Sequence, residues 1–354
     1  MKIKIGIFSF YLYLILFSSH IFAVTLDEKI QKARETEGKA VIKCTPDGKN
    51  GGVLPKDAVA LLKDGMTLVL MPGSYSSTIS IAKNKIILKS EGSGFCDATV
   101  KLSGRDCIIK DIYLARFYSN RDIVITDSII SSFSCGSGST NSGEKIDVYI
   151  YNTGLHSFGS QSMNSTIIEM KNCIINGSIT CNSKSRISIE NSILTSSSNF
   201  FSFYDYGNKK GRVALKNNLL FAKSSFGKIK YYAGISKPGS TAVTLKDLKK
   251  IWNVVLLGGN ILEAPKFLPG NSFFVEPSYI TEGKGLIVDE HPFKPVTKKK
   301  ASVVVKKTVL KPKTVALDDK KKKVDKNIPK KIPTPKPSNK DEDYGFGGIP
   351  KPPE

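Results

Sequence analysis

The sequence predicts an all-β fold: a right-handed parallel β-helix, wound as a solenoid of about eight coils with short capping helices, and followed by a disordered C-terminal tail. Three observations predict it: a short pattern that recurs between residues 105 and 222, an Asn or Asp at one position of every copy, and a change of composition near residue 288. The copies are CIIKDIYL (107–114), IVITDSII (123–130), VYIYNTGL (148–155), IEMKNCII (168–175), ISIENSIL (187–194) and VALKNNLL (213–220). They align on Asp111, Asp127, Asn152, Asn172, Asn191 and Asn217. Four residues earlier stand Cys107, Ile123, Val148, Ile168, Ile187 and Val213; two earlier, Ile109, Ile125, Ile150, Met170, Ile189 and Leu215; three later, Leu114, Ile130, Leu155, Ile175, Leu194 and Leu220. All three columns are apolar throughout. Alternate residues of a strand share a face, so the first two columns point inward. The Asn or Asp marks a corner, because these residues tolerate left-handed backbone and their side chains bond locally. Corner spacings of 16, 25, 20, 19 and 26 fit one coil each, with turns of variable length. An immunoglobulin-like sandwich would need antiparallel hairpins, which do not repeat one corner residue in register.

The remaining elements follow in chain order. Residues 1–23 carry Lys2 and Lys4, an apolar run from Ile5 to Phe17 and a small residue at Ala23, the layout of a signal peptide cleaved after Ala23. Residues 24–44 form an N-terminal cap segment, in which LDEKIQKAR (26–34) sets Leu26, Ile30 and Ala33 on one helical face as a lid. Residues 45–287 form the β-helix with a C-terminal cap. Here MTLVLMPGSY and ISIAKNKIILKSEG add two early coils, with Pro72 and Ser90 near the corner. TLKDLKKIW (244–252) is read as the closing helix, starting at Thr244 and packing Trp252. Residues 288–354 form the tail. From residue 294 onward it holds 18 lysines against 7 acidic residues, half of the chain's net charge of +22, with many prolines. Such a composition buries too little apolar surface to offset its ordering entropy.

The stretch DAVALLKDGMTLVLMPGSYSSTISIAKNKIILKSEG (57–92) and the closing stretch APKFLPGNSFFVEPSYITEGKG (264–285) resemble the opening and the end of secreted pectate-lyase-like right-handed β-helix proteins of bacterial type. With the coils, the resemblance covers roughly residues 45–287. It implies fold rather than activity, since that superfamily hosts lyases, hydrolases, esterases and adhesins. Where its members act on acidic sugars, they use calcium held by acidic residues and an arginine or lysine base. The corner column supplies only Asp111 and Asp127, and no Arg-x-Pro-x-x-Arg occurs.

An export route leaves the partner as polysaccharide or another anionic envelope polymer rather than nucleic acid, with the tail lysines meeting anionic material. No transmembrane span is expected after signal cleavage. The site is periplasmic, cell-surface or extracellular. Outward positions between the inward columns form the most polar and aromatic stripe: Lys110, Thr126, Tyr151, Lys171, Glu190 and Lys216, with Tyr149 and Glu169 alongside. Tyr149, Tyr151, Lys171 and Lys216, with Arg116 and Arg121 in an inter-coil loop, are the candidate ligand-binding residues. Aromatic faces cover sugar C–H surface, and charges bond hydroxyls or carboxylates. Glu169 and Glu190, with Cα atoms about 8 Å apart by strand rise and coil spacing, are the catalytic candidates of the alternative reading, a polysaccharide lyase or glycoside hydrolase. Lysines on either side of Glu190 argue instead for a charge ladder. A non-catalytic glycan-binding or surface-presenting protein is therefore the expected function. No cofactor and no metal are expected, calcium entering only under the lyase reading. The six cysteines lack zinc spacing and are read as buried thiols with one or two disulfides, whose pairing the sequence leaves open.

Overall fold

Short strands with inward side chains at every second position gain a core only by stacking on copies of themselves. The computed structural model shows this arrangement. It describes residues 25–293 apart from 137–144, 161–164, 183, 206–210, 232–240, 243, 245, 248, 250–252, 269–271, 276–282 and 288–290. The chain divides into Met1–Thr297 and Lys298–Glu354, and every described residue belongs to the first unit. The expected signal peptide, tail and Trp252 lie outside the described residues, as does most of the 244–252 helix. At Thr244, however, the hydroxyl accepts from the Asp247 amide at 3.2 Å and the Asp247 carboxylate accepts from the Thr244 amide at 3.1 Å, a reciprocal helix cap.

Two parallel sheets are wound from one chain. The first contains β1 (Val41–Cys44), β2 (Thr67–Leu70), β5 (Ile87–Ser90), β7 (Cys107–Lys110), β9 (Ile123–Thr126), β11 (Ile146–Tyr151), β13 (Thr166–Lys171), β15 (Ser185–Glu190), β18 (Arg212–Lys216) and β22 (Asn253–Leu256) in that order. The second contains β3 (Gly73–Ser74), β4 (Ile79–Ile81), β6 (Phe95–Leu102), β8 (Tyr113–Ser119), β10 (Ile129–Cys135), β12 (Gly154–Ser160), β14 (Ile174–Asn182), β16 (Ile193–Ser196), β17 (Asn199–Asp205), β19 (Leu219–Ala222), β20 (Ser225–Tyr231), β21 (Thr241–Ala242) and β23 (Ile261–Leu262). Among the described strand pairs only β20 with β21 is antiparallel. The first sheet has ten strands where about eight coils are expected. The additional rungs are β1 and β22, too short and too weakly patterned to stand out, and ten rungs at ~4.8 Å make a stack of roughly 43 Å.

Register places the sequence columns on top of one another. Ile42, Leu68, Leu88, Ile109, Ile125, Ile150, Met170, Ile189, Leu215 and Leu256 share one position across the first sheet. Cys96, Leu114, Ile130, Leu155, Ile175, Leu194, Leu220 and Leu262 share one across the second. Between the sheets all six corner residues have φ between 46 and 55°, the left-handed region. Ser90 pairs with Leu70 at the same level, so Pro72 falls two residues past the corner rather than on it. Farther along the second sheet Phe117, Phe133 and Phe158 stack at centroid distances of 5.4 and 5.3 Å, filling the core with one ring per rung.

Two helices flank the stack. Helix α1 (Leu26–Glu35) is expected as an end lid, yet it packs against the outer face of β9 and β11, midway along the first sheet. The end is closed instead by α2 (Pro55–Leu61), which packs on β1 and β4 and buries Ala58, with its C-cap Leu62, in the main core. Proline at its first position lacks the amide that a helix start leaves unbonded. A C-terminal segment supplies the other cover. Phe273, Phe274, Val275, Leu286 and Phe293 form a second apolar cluster over Ile129, Ile174, Ile193 and Leu219, the outward neighbours of the inward column. Gly154 replaces an apolar residue in this outward column because a Cβ there would lie 2.6 Å from the Phe273 ring. No described helix is long and apolar enough to cross a membrane.

Candidate functional site

The outward stripe of the first sheet is not bare. α1 begins at a capping box, Thr25 with Glu28, and carries Asp27 and Glu28 in its first turn and Arg34 in its last. It then crosses four rungs in turn. Asp27 pairs with Lys171 on β13 at 2.7 Å, and Lys29 donates to the Tyr149 hydroxyl on β11 at 2.5 Å while sitting 3.9 Å above that ring. Arg34 lies 5.0 Å from the Tyr151 ring and grips Asp127 with two bonds, of 2.8 and 2.5 Å. Lys110, on β7, donates to the carbonyls of Arg34 and Thr36 at 2.8 and 2.7 Å, closing the helix C-terminus where a cation suits the dipole. Burial lowers the Lys110 ammonium. Tyr149, Tyr151 and Lys171 thus face the helix, not open solvent.

The corner column is electrostatically uneven. Burial pushes the Asp127 carboxyl up, but hydrogen bonds from Arg34, Thr126 and Asn152, with the guanidinium charge, outweigh it and hold the group below the usual carboxylate range. Among the described residues no side chain donates to the Asp111 carboxyl; burial, and then the Asp127 charge, raise it. Asn152 donates to Asp127 at 2.7 Å, and Asn217 donates to Asn191 at 2.7 Å, so amides bond along parts of the stack. Asn172 shares the backbone bend, and its amide bonds the Glu190 carbonyl at 3.1 Å. On the far side of the corner the C-terminal strap bonds the same ladder: the Ile287 amide donates to the Asn152 side chain at 2.7 Å, and the Gly285 amide to the Asn191 carbonyl at 2.9 Å. His291 is buried against the Phe274 and Phe293 rings, and burial lowers it to about 4.

A trough runs around the opposite corner, where the second sheet turns back into the first. A groove of about 280 Å³ lies between α1 and the first sheet, lined by Lys29 and Lys32 of α1, by Asp106, Asp122 and Asp147, and by Ile108, Val124 and Tyr149, which share one outward position on three successive strands. Through Asp122 it adjoins a cavity of about 250 Å³ lined by Arg105, Asn120, Arg121 and Lys145. Through Asn120 that cavity adjoins another of about 300 Å³ lined by Ser80, Lys101, Ser103 and Tyr118. Arg105, Arg121 and Lys145 precede β7, β9 and β11, which places three cations on three successive rungs. Asp106, Asp122 and Asp147 stand one residue before Cys107, Ile123 and Val148, which share one inward position on those strands. The acidic column missing from the corner is therefore present one turn away, legible in the sequence as the residue before Cys107, Ile123 and Val148. The Asp147 amide donates to Asp122 at 2.8 Å and Lys145 pairs with Asp147 at 3.0 Å. Among the described residues no three acidic, His or Cys side chains are grouped to hold a metal ion.

The other sequence candidates are spread out. Glu190 is paired to Lys216 at 2.7 Å, while Lys171, the expected second neighbour in the ladder, turns to Asp27. Glu169 stands level with Tyr149 and with Ser188. Arg116 is exposed on the second sheet beside Ser132, away from the trough that Arg121 lines. His156 packs its ring at 4.5 Å against Phe273, and burial lowers its pKa. The expected disulfides are absent: all six cysteines are buried free thiols, because inward positions on different coils give each its own packing site. Burial pushes Cys96, Cys135 and Cys173 up to about 12.

The fold and these surfaces define an all-β, two-sheet parallel solenoid of β-helix type with a mixed-charge outer trough. Comparison with protein-family models, curated proteins and solved structures finds no match to this chain.

Proposed function

We propose that the chain is an exported, non-catalytic right-handed β-helix protein, pectate-lyase-like in architecture, which binds an acidic polysaccharide or anionic envelope polymer. Right-handed winding follows from the near-universal hand of parallel crossovers. The observation that carries the binding reading is the row of three adjoining pockets, with Arg105, Arg121 and Lys145 on successive rungs beside aspartates and hydroxyls. Guanidinium and ammonium groups suit carboxylate or sulfate groups, aspartates accept from sugar hydroxyls, and Tyr118 offers a ring face. The basic tail would retain the protein on the same anionic layer. The test is affinity of the full-length chain for polygalacturonate or alginate against dextran. Selective binding of the acidic polymers, weakened about tenfold in the R105Q/R121Q/K145Q variant, supports the reading. Equal binding of dextran, or no effect of the triple variant, overturns it.

A second reading, a polysaccharide lyase or hydrolase, is favoured only by the Asp106, Asp122 and Asp147 column in the trough and by the Glu169 and Glu190 spacing. The salt bridge from Lys216 to Glu190 opposes it, since it engages the carboxylate that the chemistry would need. Release of unsaturated product or reducing ends from any acidic polysaccharide, with or without calcium, would replace the first reading by the second.

A further inference from the structure

α1 and the C-terminal strap lie on opposite sides of one corner, and each is fastened to one of two side chains that are hydrogen-bonded to each other. On the first-sheet side, Arg34 holds Asp127 through both carboxylate oxygens. On the second-sheet side, Asn152 accepts the Ile287 amide at 2.7 Å. The joint between them is the Asn152 to Asp127 hydrogen bond of 2.7 Å, made by residues only 0 and 5% exposed. Close around this joint stand Lys110 and Asp111 on the neighbouring rung, Arg34 from α1 and His291 from the strap.

We propose that Asp127 and Asn152 form a two-sided clasp that couples the docking of α1 to the docking of the C-terminal strap, so that the two segments release and reseat together. The physical reason is the cost of a buried carboxylate without its cation. When α1 lifts, Asp127 loses Arg34 and must take water or turn outward. Either move withdraws the oxygen that orients the Asn152 amide, and with it the acceptor that pins Ile287. Conversely, when the strap leaves, Asn152 is free to rotate and Asp127 loses one of the three donors that keep it ionised. The consequence for ligand binding rests on the trough reading above: α1 contributes Lys29 and Lys32 to the trough wall, so the clasp sets whether that wall is in place.

The test is amide hydrogen exchange on the full-length chain, with exchange in α1 and in residues 283–287 and 291–293 referred to exchange in β2 and β18 so that global unfolding is divided out. Asp27→Asn weakens α1 at its pair with Lys171, and Leu286→Ala weakens the strap within its own apolar cluster. Coupling requires each variant to speed exchange in both segments, the distant one by at least about fivefold, since linkage is reciprocal. Faster exchange confined to the segment that carries the substitution overturns the clasp. Polysaccharide affinity measured on the same variants separates the two ideas. Coupled exchange without any glycan binding removes the trough reading and leaves the clasp; glycan binding with uncoupled exchange does the reverse.

Discussion

Acidification should loosen the solenoid through His291 before it reaches Asp127. The side chain is 1% exposed and packed between phenylalanine rings, which favours neutral imidazole and lowers it to about 4 from 6.5. Below pH 6.5 the unfolded chain takes up a proton that the folded chain refuses. Stability from this group is therefore complete above pH 6.5, falls progressively toward pH 4, and changes no further below that. At about 1.4 kcal/mol per pH unit the loss is on the order of 3 kcal/mol. Asp127 acts in a lower window: held below the usual carboxylate range, its contribution is lost only as pH falls through that depressed value. Urea unfolding followed by circular dichroism at pH 7.5, 6.5, 5.5 and 4.5 measures the slope for the natural chain and for His291→Gln. The natural chain should lose most of this stability between pH 6.5 and 4.5, with a much shallower slope in the variant. Parallel profiles for the two proteins would refute the assignment of the slope to His291.

Three further outcomes follow from packing. Gly154→Ala drives a methyl group into the Phe273 ring, and thermal unfolding should report a loss of about 1–3 kcal/mol; an unchanged midpoint would mean that the C-terminal segment does not lie there. Asn191→Ala forces alanine to φ near 51° and removes the 2.7 Å bond from Asn217, costing about 2 kcal/mol, of which Asn191→Gly should recover the backbone share but not the hydrogen bond. All six thiols should ignore Ellman's reagent in the native protein and react fully on unfolding without reductant; fewer than six would show that disulfides form.

The coils were legible because one strand position in two is inward and one residue per coil must bend left-handed, so Asp111 through Asn217 mark the register with their own chemistry. The covering segments were harder to read. A helical face at Ile30 and Ala33 says that α1 packs, not on what. The signal for its berth was the apolar pair Ile108 and Val124 at outward positions, which a solvated face has no reason to carry. Ile129, Ile174, Ile193 and Leu219 gave the same signal for the C-terminal strap, one residue before an inward column already read as core. Once α1 is seated, the aromatic stripe of Tyr149 and Tyr151 becomes its berth, and the surface offered to a ligand moves to the turn where Arg121 stands. That shift depends on contacts between residues 93 and 120 positions apart, which local patterning does not encode.

Because the lysine-rich tail would itself attract any polyanion, affinity alone is a weaker test than location. Hydrogen-exchange footprinting of the full-length chain with a saturating acidic oligosaccharide resolves the two. Protection should appear at residues 103–106, 118–122 and 145–149 and extend into α1. Protection confined to residues 294–354, with the trough exchanging as in the free protein, would contradict binding by the solenoid.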